Sequence, residues 1–407
     1  MNMTRRNFIH AGLAGLPCIS LAGTHARLFA EAAQAAAAAD RNDHVLVVVE
    51  LAGGNDGLNT LIPLENALYY NNRKTLAIAK QDAVRLNDAV GLHPSLAAMG
   101  ELFKQGRLAI VQGVGYPNPD RSHFRSMEIW QTASIDKRPP AAGWLGRFLD
   151  RLPPAPDDRP SIPGLALTGE LPQGMRAGKV SAPVVGQLDQ FAGLEEGGQP
   201  RHQLRRKLGA ASTPTADPVN FLRGQMRAAY RTADLLKDAA AKYKSPVEYP
   251  ASGLGEQLKR AAQILSGNLG VRVVFASQDG YDTHAGQLEP HAALLSDLAA
   301  GLAAFDRDLT ALGLADRVVV MTFSEFGRRV AENASGGTDH GAASCLFLQG
   351  APVKGGCHGQ YPSLAELDDG DLVFNTDFRR VYGALLAWLG CPATPVLGAE
   401  FAALELL

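Results

Sequence analysis

The stretch His44-Val-Leu-Val-Val-Val-Glu-Leu51 is apolar at nearly every position and ends in Ala52-Gly53-Gly54-Asn55-Asp56-Gly57. A strand with one wet face alternates polar and apolar residues. A near-continuous valine-rich run instead predicts a strand covered on both sides, as in a parallel sheet between helices. Such strands place their functional loops beyond their carboxyl ends, so the glycine-rich turn carrying Asn55 and Asp56 is the first place to look for chemistry.

The same alternation of strand and helix continues along the chain. Ser95 to Gln105 has helical spacing through Leu96, Met99, Leu102 and Phe103, and Leu108 to Val114 reads as the next strand, together a βαβ unit. Val271 to Ala276 predicts another strand, followed by a long helix with apolar residues from Leu288 to Leu312 that Gly313 is placed to stop. Val318 to Phe323 and Ser344 to Leu348 read as strands, Phe124 to Thr132 as a helix, and Asp377 to Leu389 as a terminal amphipathic helix. Gly193 to Pro218 lacks periodicity and reads as an exposed connection. Asn220 to Tyr243 and Leu254 to Ser266 follow it as a helical hairpin, an insertion at about residues 218–268. The fold class expected is α/β, a three-layer α/β/α sandwich with a mostly parallel central sheet.

The N-terminus predicts export. Thr4-Arg5-Arg6-Asn7-Phe8-Ile9 precedes a moderately apolar run from Ala11 to Ala22, and the alanine-rich stretch around Ala33-Gln34-Ala35 offers a small-x-small cleavage site. This pattern is that of a twin-arginine signal with its processing region over residues 1–39, which makes the twin-arginine translocase a partner and the periplasm or exterior the destination. Pro17 before Cys18 is a poor match to a lipoprotein signal, so no stable membrane anchor is expected. That route carries folded proteins, which is compatible with a cofactor bound before export.

Composition narrows the function classes. Residues 40–407 are long enough for one large domain, with 46% hydrophobic and 20% charged residues in the whole chain. A net charge of -2 without long basic runs gives no electrostatic footprint for nucleic acid. Past the signal only Cys345, Cys357 and Cys391 remain, so cysteine is not a metal framework.

The chemistry-bearing residues fall on loops after the expected strands. Gly337-Thr338-Asp339-His340-Gly341 sets a carboxylate beside an imidazole, as does Asp282-Thr283-His284, and Asp56 and Ser324-Glu325 end two further strands. Carboxylate and neutral imidazole together suit a divalent cation, zinc first, with manganese, magnesium or calcium as alternatives. Arg121-Ser122-His123 precedes a helix. The plain alternatives are that Asp56 is a turn residue, Ser122 a helix N-cap and Glu325 a solvated acid, with His93 and His358 as ordinary loop or core histidines.

The segments Glu50 to Thr60, Gly113 to Thr132, Tyr281 to His284, Ser324-Glu325-Phe326-Gly327-Arg328 and Gly336 to Gly341 resemble family 1501 of the domains of unknown function over nearly the whole mature chain. That family is similar in fold to the alkaline phosphatase and sulfatase superfamily, which implies an alkaline-phosphatase-like domain over residues 40–407 with one or two divalent metals beside a nucleophile. The resemblance implies one metal site from Asp282, His284 and His340 and a weaker one from Asp56 with Glu325 or Asp339. Phe326 stands where the superfamily has an imidazole. Ser122 takes the nucleophile's position at a helix start, with Arg121 or Arg125 holding anionic oxygens and His123 as an alternative general acid or base. The sulfatase Cys-x-Pro-x-Arg motif is absent. Two function classes follow: an exported metal-dependent hydrolase of small phosphate or sulfate esters, and a non-catalytic exported binding or assembly protein that keeps the fold and serves an unknown exported partner.

Overall fold

The computed structural model of the chain describes residues 43–153, 161–186 and 218–407. The expected export signal and most of the Gly193–Pro218 connection lie outside the described residues.

The valine-rich run forms β1 (Val45–Ala52), with Val45 to Val49 and Leu51 all buried. The other strands of its sheet are β2 (Leu108–Gly115), β3 (Gly164–Ala166), β4 (Val273–Asp279), β5 (Val318–Phe323), β6 (Ser344–Gln349), β7 (Gly356–His358) and β8 (Thr376–Asp377). The spatial order is β7-β2-β6-β5-β1-β4-β3, with β8 also paired to β2. On β1, Val49 lies opposite Ala276 of β4 on one side and Thr322 of β5 on the other, both in parallel register. Among the described strands of this sheet only β6 runs antiparallel, to both β5 and β2. Its reversal follows from the segment 324–343, which folds back on itself through an antiparallel bridge between Arg328 and His340.

The expected βαβ unit is corrected here. β1 and β2 are not neighbours, because both edges of β1 are taken by strands from much later in the chain and β5 and β6 lie between. Local periodicity does not encode that choice.

Helices cover both faces. Odd-numbered β1 residues such as Val47 and Val49 face a core with α1 (Ala97–Lys104), α4 (Pro218–Lys242), α5 (Gly253–Ser266) and α6 (Leu288–Ala311), through Met99, Leu236, Leu258 and Leu302 among others. Leu46 and Val48 face the opposite core with α2 (His123–Thr132), α3 (Trp144–Leu149) and α7 (Phe378–Trp388), through Trp130, Phe148 and Tyr382. This is a three-layer α/β/α sandwich with a mostly parallel sheet. The hairpin α4–α5 belongs to one of those layers, with α5 laid against α6 and β4. Among the described residues, no helix is long and apolar enough to cross a membrane.

The strand directions bring one set of loops to one edge. β1, β2, β4 and β5 end there, at Ala52, Gly115, Asp279 and Phe323, and β6 begins there at Ser344. The turn after β1 requires glycine. Gly53 and Gly54 have φ of 117° and 78°, and a Cβ on Gly54 would sit 2.3 Å from the Phe326 ring.

Just past this turn, Asp56 caps the short helix Gly57–Thr60 by accepting from the N–H groups of Leu58 and Asn59. The fully buried Arg73 meets its carboxylate at 2.5 Å and 3.1 Å, and Gln287 Nε2 adds a bond at 2.5 Å. Arg73 also donates to the carbonyls of Val330 and Arg329, so the pair clamps the turn after β1 to the loop after β5. Burial pushes the Asp56 carboxyl up, but the Arg73 charge and hydrogen bonds, with His291 and Gln287, outweigh it and leave it at about 2.

Because the folded pKa is depressed, the stability Asp56 contributes is present above its unfolded pKa of about 4 and is lost as pH falls towards about 2. Arg73→Met leaves a buried carboxylate uncompensated and should cost about 3–5 kcal/mol at neutral pH. Denaturant unfolding should show the gap between parent and variant shrinking as pH is lowered from about 5 towards about 2; a gap independent of pH would contradict this account of the pair.

Candidate metal centre

Four side chains from three loops meet at the sheet's carboxyl edge. Asp282 and His284 follow β4, His340 precedes β6, and His123 opens α2. His284 Nε2 and His340 Nε2 face each other at 2.9 Å. Asp282 Oδ1 lies 3.0 Å from the former and 3.1 Å from the latter, and Asp282 Oδ2 lies 3.6 Å from His123 Nε2. Candidate ligand atoms of His123, Asp282 and His340 all fall within 4.8 Å of one another.

The hydrogen bonds on the far side of each ring assign its proton. His340 Nδ1 is 2.9 Å from the carbonyl oxygen of Arg121, and a carbonyl only accepts, so Nδ1 carries a proton. His284 Nδ1 meets Asp339 Oδ1 at 3.1 Å. The hydrogen bonds from His284 and Asn333 hold the Asp339 carboxyl below the usual carboxylate range, which makes it an acceptor too. His123 Nδ1 meets Glu325 Oε1 at 2.8 Å, and Glu325 also accepts from the Gly53 N–H. All three imidazoles therefore donate through Nδ1 and turn Nε2 toward Asp282. Burial raises the Asp282 carboxyl, and the hydrogen bond and charge of Arg328 more than reverse that.

Two imidazole lone pairs 2.9 Å apart beside a carboxylate oxygen repel one another unless a cation lies between them. A shared proton is one solution. A divalent ion is the other, since tetrahedral ligands with bonds of about 2.1 Å stand about 3.4 Å apart, within about half an ångström of the separations here. Histidines held through Nδ1 by carboxylates and a backbone carbonyl are also the usual support of metal ligands. The donor set fits a divalent cation, with Asp282, His284, His340 and His123 as the residues to hold it. Asp282 and His284 are 47% and 43% exposed, so the cluster is open to solvent, as a position for an exchangeable ligand requires.

The structure separates the sequence-predicted ligands into three groups. Asp282, His284 and His340 come together. Glu325 and Asp339 stand one layer back, holding the Nδ1 protons of His123 and His284. Asp56 belongs to the Arg73 clamp, with both carboxylate oxygens occupied. His123, expected as an acid or base, joins the cluster instead. Phe326 is 2% exposed and packs its ring 4.9 Å from that of His123 and 4.7 Å from that of His340, so an apolar ring fills the place of the expected second imidazole.

The two arginines expected to hold an anion are committed elsewhere. Arg121 pairs with Asp371 at 2.6 Å and Asp369 at 3.0 Å, and contributes only its carbonyl to the cluster. Arg125 pairs with Glu128 at 2.5 Å and donates to the carbonyls of Ile135 and Asp136. Ser122 occupies the N-cap position of α2, but its exposed side chain makes no capping hydrogen bond. His93 is buried, accepts from the Ser95 N–H and is pushed down to about 4 by burial, while His358 bonds the Lys354 carbonyl; both stand apart from the cluster. Cys345, Cys357 and Cys391 are free thiols.

One residue essential to this arrangement was not foreseen. Arg328, with no side-chain exposure, donates from Nη2 to Asp282 Oδ1 at 2.7 Å and to the Tyr281 carbonyl at 3.0 Å. Its Nε and Nη1 donate at 2.7 Å to the carbonyls of Gly54 and Thr338. An arginine beside a Gly-rich turn carries no sequence signal for burial.

Residues 43–380 match the model of a protein family described as Protein of unknown function (DUF1501). The chain belongs to that family. No curated protein matches it. Among solved structures it is similar to the PsFucS1 sulfatase from Pseudoalteromonas sp., at 10% identity over 92% of this chain and 75% of that one with a TM-score of 0.41. A protein in the alkaline phosphatase superfamily from Vibrio parahaemolyticus gives 9% identity over 88% and 71% with a TM-score of 0.38. A phosphonate monoester hydrolase from Silicibacter pomeroyi gives 10% over 89% and 78% with a TM-score of 0.33.

If the cluster is a metal centre, purified protein should carry about one divalent ion, and His340→Ala should abolish binding. Glu325→Gln and Asp339→Asn, which remove only support for a ligand, should weaken affinity about 10–100-fold. Protons compete for the same Nε2 atoms, so metal retained through gel filtration at pH 7.5 should be released near pH 5. Elemental analysis of each fraction decides, and unchanged metal content in His340→Ala would place any ion elsewhere.

Proposed function

We propose that this DUF1501 protein is an exported metal-dependent hydrolase of phosphate or sulfate esters, working at Asp282, His123, His284 and His340. The observation that carries the reading is the convergence of three imidazole Nε2 atoms and one carboxylate at a solvent-open point on the carboxyl edge of the sheet. A donor set of imidazoles with one carboxylate favours zinc over magnesium or calcium. Bound there, the ion supplies Lewis-acid polarisation and charge neutralisation for an anionic ester.

The chain's own residues divide the remaining work. Glu325, Asp339 and the Arg121 carbonyl fix the imidazole orientations. With Arg121 and Arg125 committed to other partners, the ester's oxygens are met at the start of α2, where no side chain caps the first-turn N–H groups and the helix end favours an anion. Ser122 stands at that helix start, next to His123. As nucleophile its Oγ bonds to phosphorus or sulfur, the ester oxygen leaves with a proton, and water then cleaves the seryl ester to restore the hydroxyl.

The committed arginines and the ring of Phe326 favour a second reading, a non-catalytic exported binding or assembly protein with one structural ion. Assays with p-nitrophenyl phosphate, p-nitrophenyl sulfate and a p-nitrophenyl phosphonate monoester separate the two. The hydrolase reading expects turnover of at least one, abolished in Ser122→Ala with metal content retained. Because Ser122 makes no capping bond, that variant should lose less than the roughly 0.5–2 kcal/mol typical of a broken cap. A metal-loaded protein inert towards all three esters would support the binding-protein reading.

Export through the twin-arginine route belongs to the same proposal. Changing Arg5 and Arg6 together to Lys should retain the protein in the cytoplasm in a folded state, measured by cell fractionation; normal export of that variant would remove the reading.

A further inference from the structure

Gln287 is fully buried at the N-cap position of α6, three residues after His284, yet its side chain caps no helix N–H. It spans two other groups instead. Its Nε2 donates to Asp56 Oδ2 at 2.5 Å, and its Oε1 accepts from the fully buried Thr338 Oγ1 at 2.6 Å. A carboxylate only accepts and a hydroxyl has a proton to give, so the amide faces one way here. The Gln287 N–H also donates to the Gly336 carbonyl at 2.8 Å, and the Thr338 N–H to the Thr283 carbonyl at 3.2 Å.

These bonds join the two loops that carry the cluster's facing imidazoles. Thr283 precedes His284, and Thr338 lies two residues before His340. The loops approach so closely that a Cβ on Gly337 would overlap the His284 backbone. Arg328 bonds Asp282 and the Thr338 carbonyl, and the segment from His284 to α6 is held by two further groups. At the surface, Asn333 Nδ2 donates to the His284 carbonyl at 2.9 Å and to Asp339 Oδ1 at 3.1 Å. In the interior, Gln287 ties the same loops to Asp56, which Arg73 holds fast. We infer that Gln287 is a positioning residue for the centre: through Asp56 and Thr338 it sets the separation of the His284 and His340 imidazoles. Its effect on metal and turnover rests on the hydrolase reading, and its effect on the two rings does not.

Gln287→Met keeps the length of the side chain and removes both of its bonds, while Thr338→Val keeps the shape and removes one. Leu302→Ala, in the core face of the same helix, is the control for lost stability. Crystal structures of the metal-free parent and variants read the ring separation directly. The Nε2 atoms, 2.9 Å apart in the parent, should part by more than about 0.5 Å in Gln287→Met and stay in place in Leu302→Ala. Cobalt(II) titration of the full mature chain, followed by visible absorption, should show binding weakened about 10–100-fold in Gln287→Met, with shifted bands, and weakened less in Thr338→Val. Leu302→Ala should bind as the parent does despite a lower unfolding temperature. Should Gln287→Met fail to fold, the milder Thr338→Val carries both measurements. Rings unmoved in both variants, or an equal loss of cobalt affinity in Leu302→Ala, would overturn the positioning role. A parent that binds no cobalt, with rings that still part in Gln287→Met, would remove the metal reading and keep the role of Gln287.

Discussion

Arg328 is the residue on which the site's geometry depends. Its guanidinium is fully buried and donates to Gly54, Gly53, Tyr281, Thr338 and Asp282, so one charged group from the loop after β5 holds the turns after β1 and β4 and the 337–341 loop. A buried cation without partners is strongly unfavourable. Those loops are thus held where their carbonyls can face it, and where they stand decides where Asp282, His284 and His340 point. Gly341 fits the same constraint, since a Cβ there would come within 2.5 Å of the Arg328 backbone.

From that anchoring the chemistry follows in layers. Asp282 receives the Arg328 guanidinium on one side and two imidazoles on the other. Glu325, Asp339 and the Arg121 carbonyl stand behind the three histidines and determine which nitrogen each presents. Glu325 links the layers, accepting from the Gly53 N–H, from Ser324 Oγ and from His123. A carboxylate one layer back shapes the cluster by selecting the tautomer and holding the ring.

The same logic explains why some expected residues serve elsewhere. Asp56 follows β1 at the correct edge, yet Arg73, Gln287 and two backbone N–H groups use its lone pairs. Arg121 and Arg125 flank Ser122 in sequence, but nearby carboxylates take both guanidinium groups. Adjacency along a chain sets which residues begin a helix. It does not set which charges their long side chains will find.

The sequence by itself determined the layered class of the fold, because a valine run buried on both faces and helices of one-sided apolar spacing have few other ways to be covered. It also determined that Asp282, His284 and His340 fall beside strand ends, on loops that meet at one edge of the sheet. The tertiary structure alone decided the strand order around β1, the antiparallel return of β6, and the division of acids among the histidine cluster, the positions behind it and the Arg73 clamp. Those outcomes depend on pairings across more than 200 residues, such as Glu325 with His123 and Arg73 with Val330, and on the burial of Arg328. Periodicity reports which face of an element is apolar; it carries no information on which distant partner that face or charge will meet.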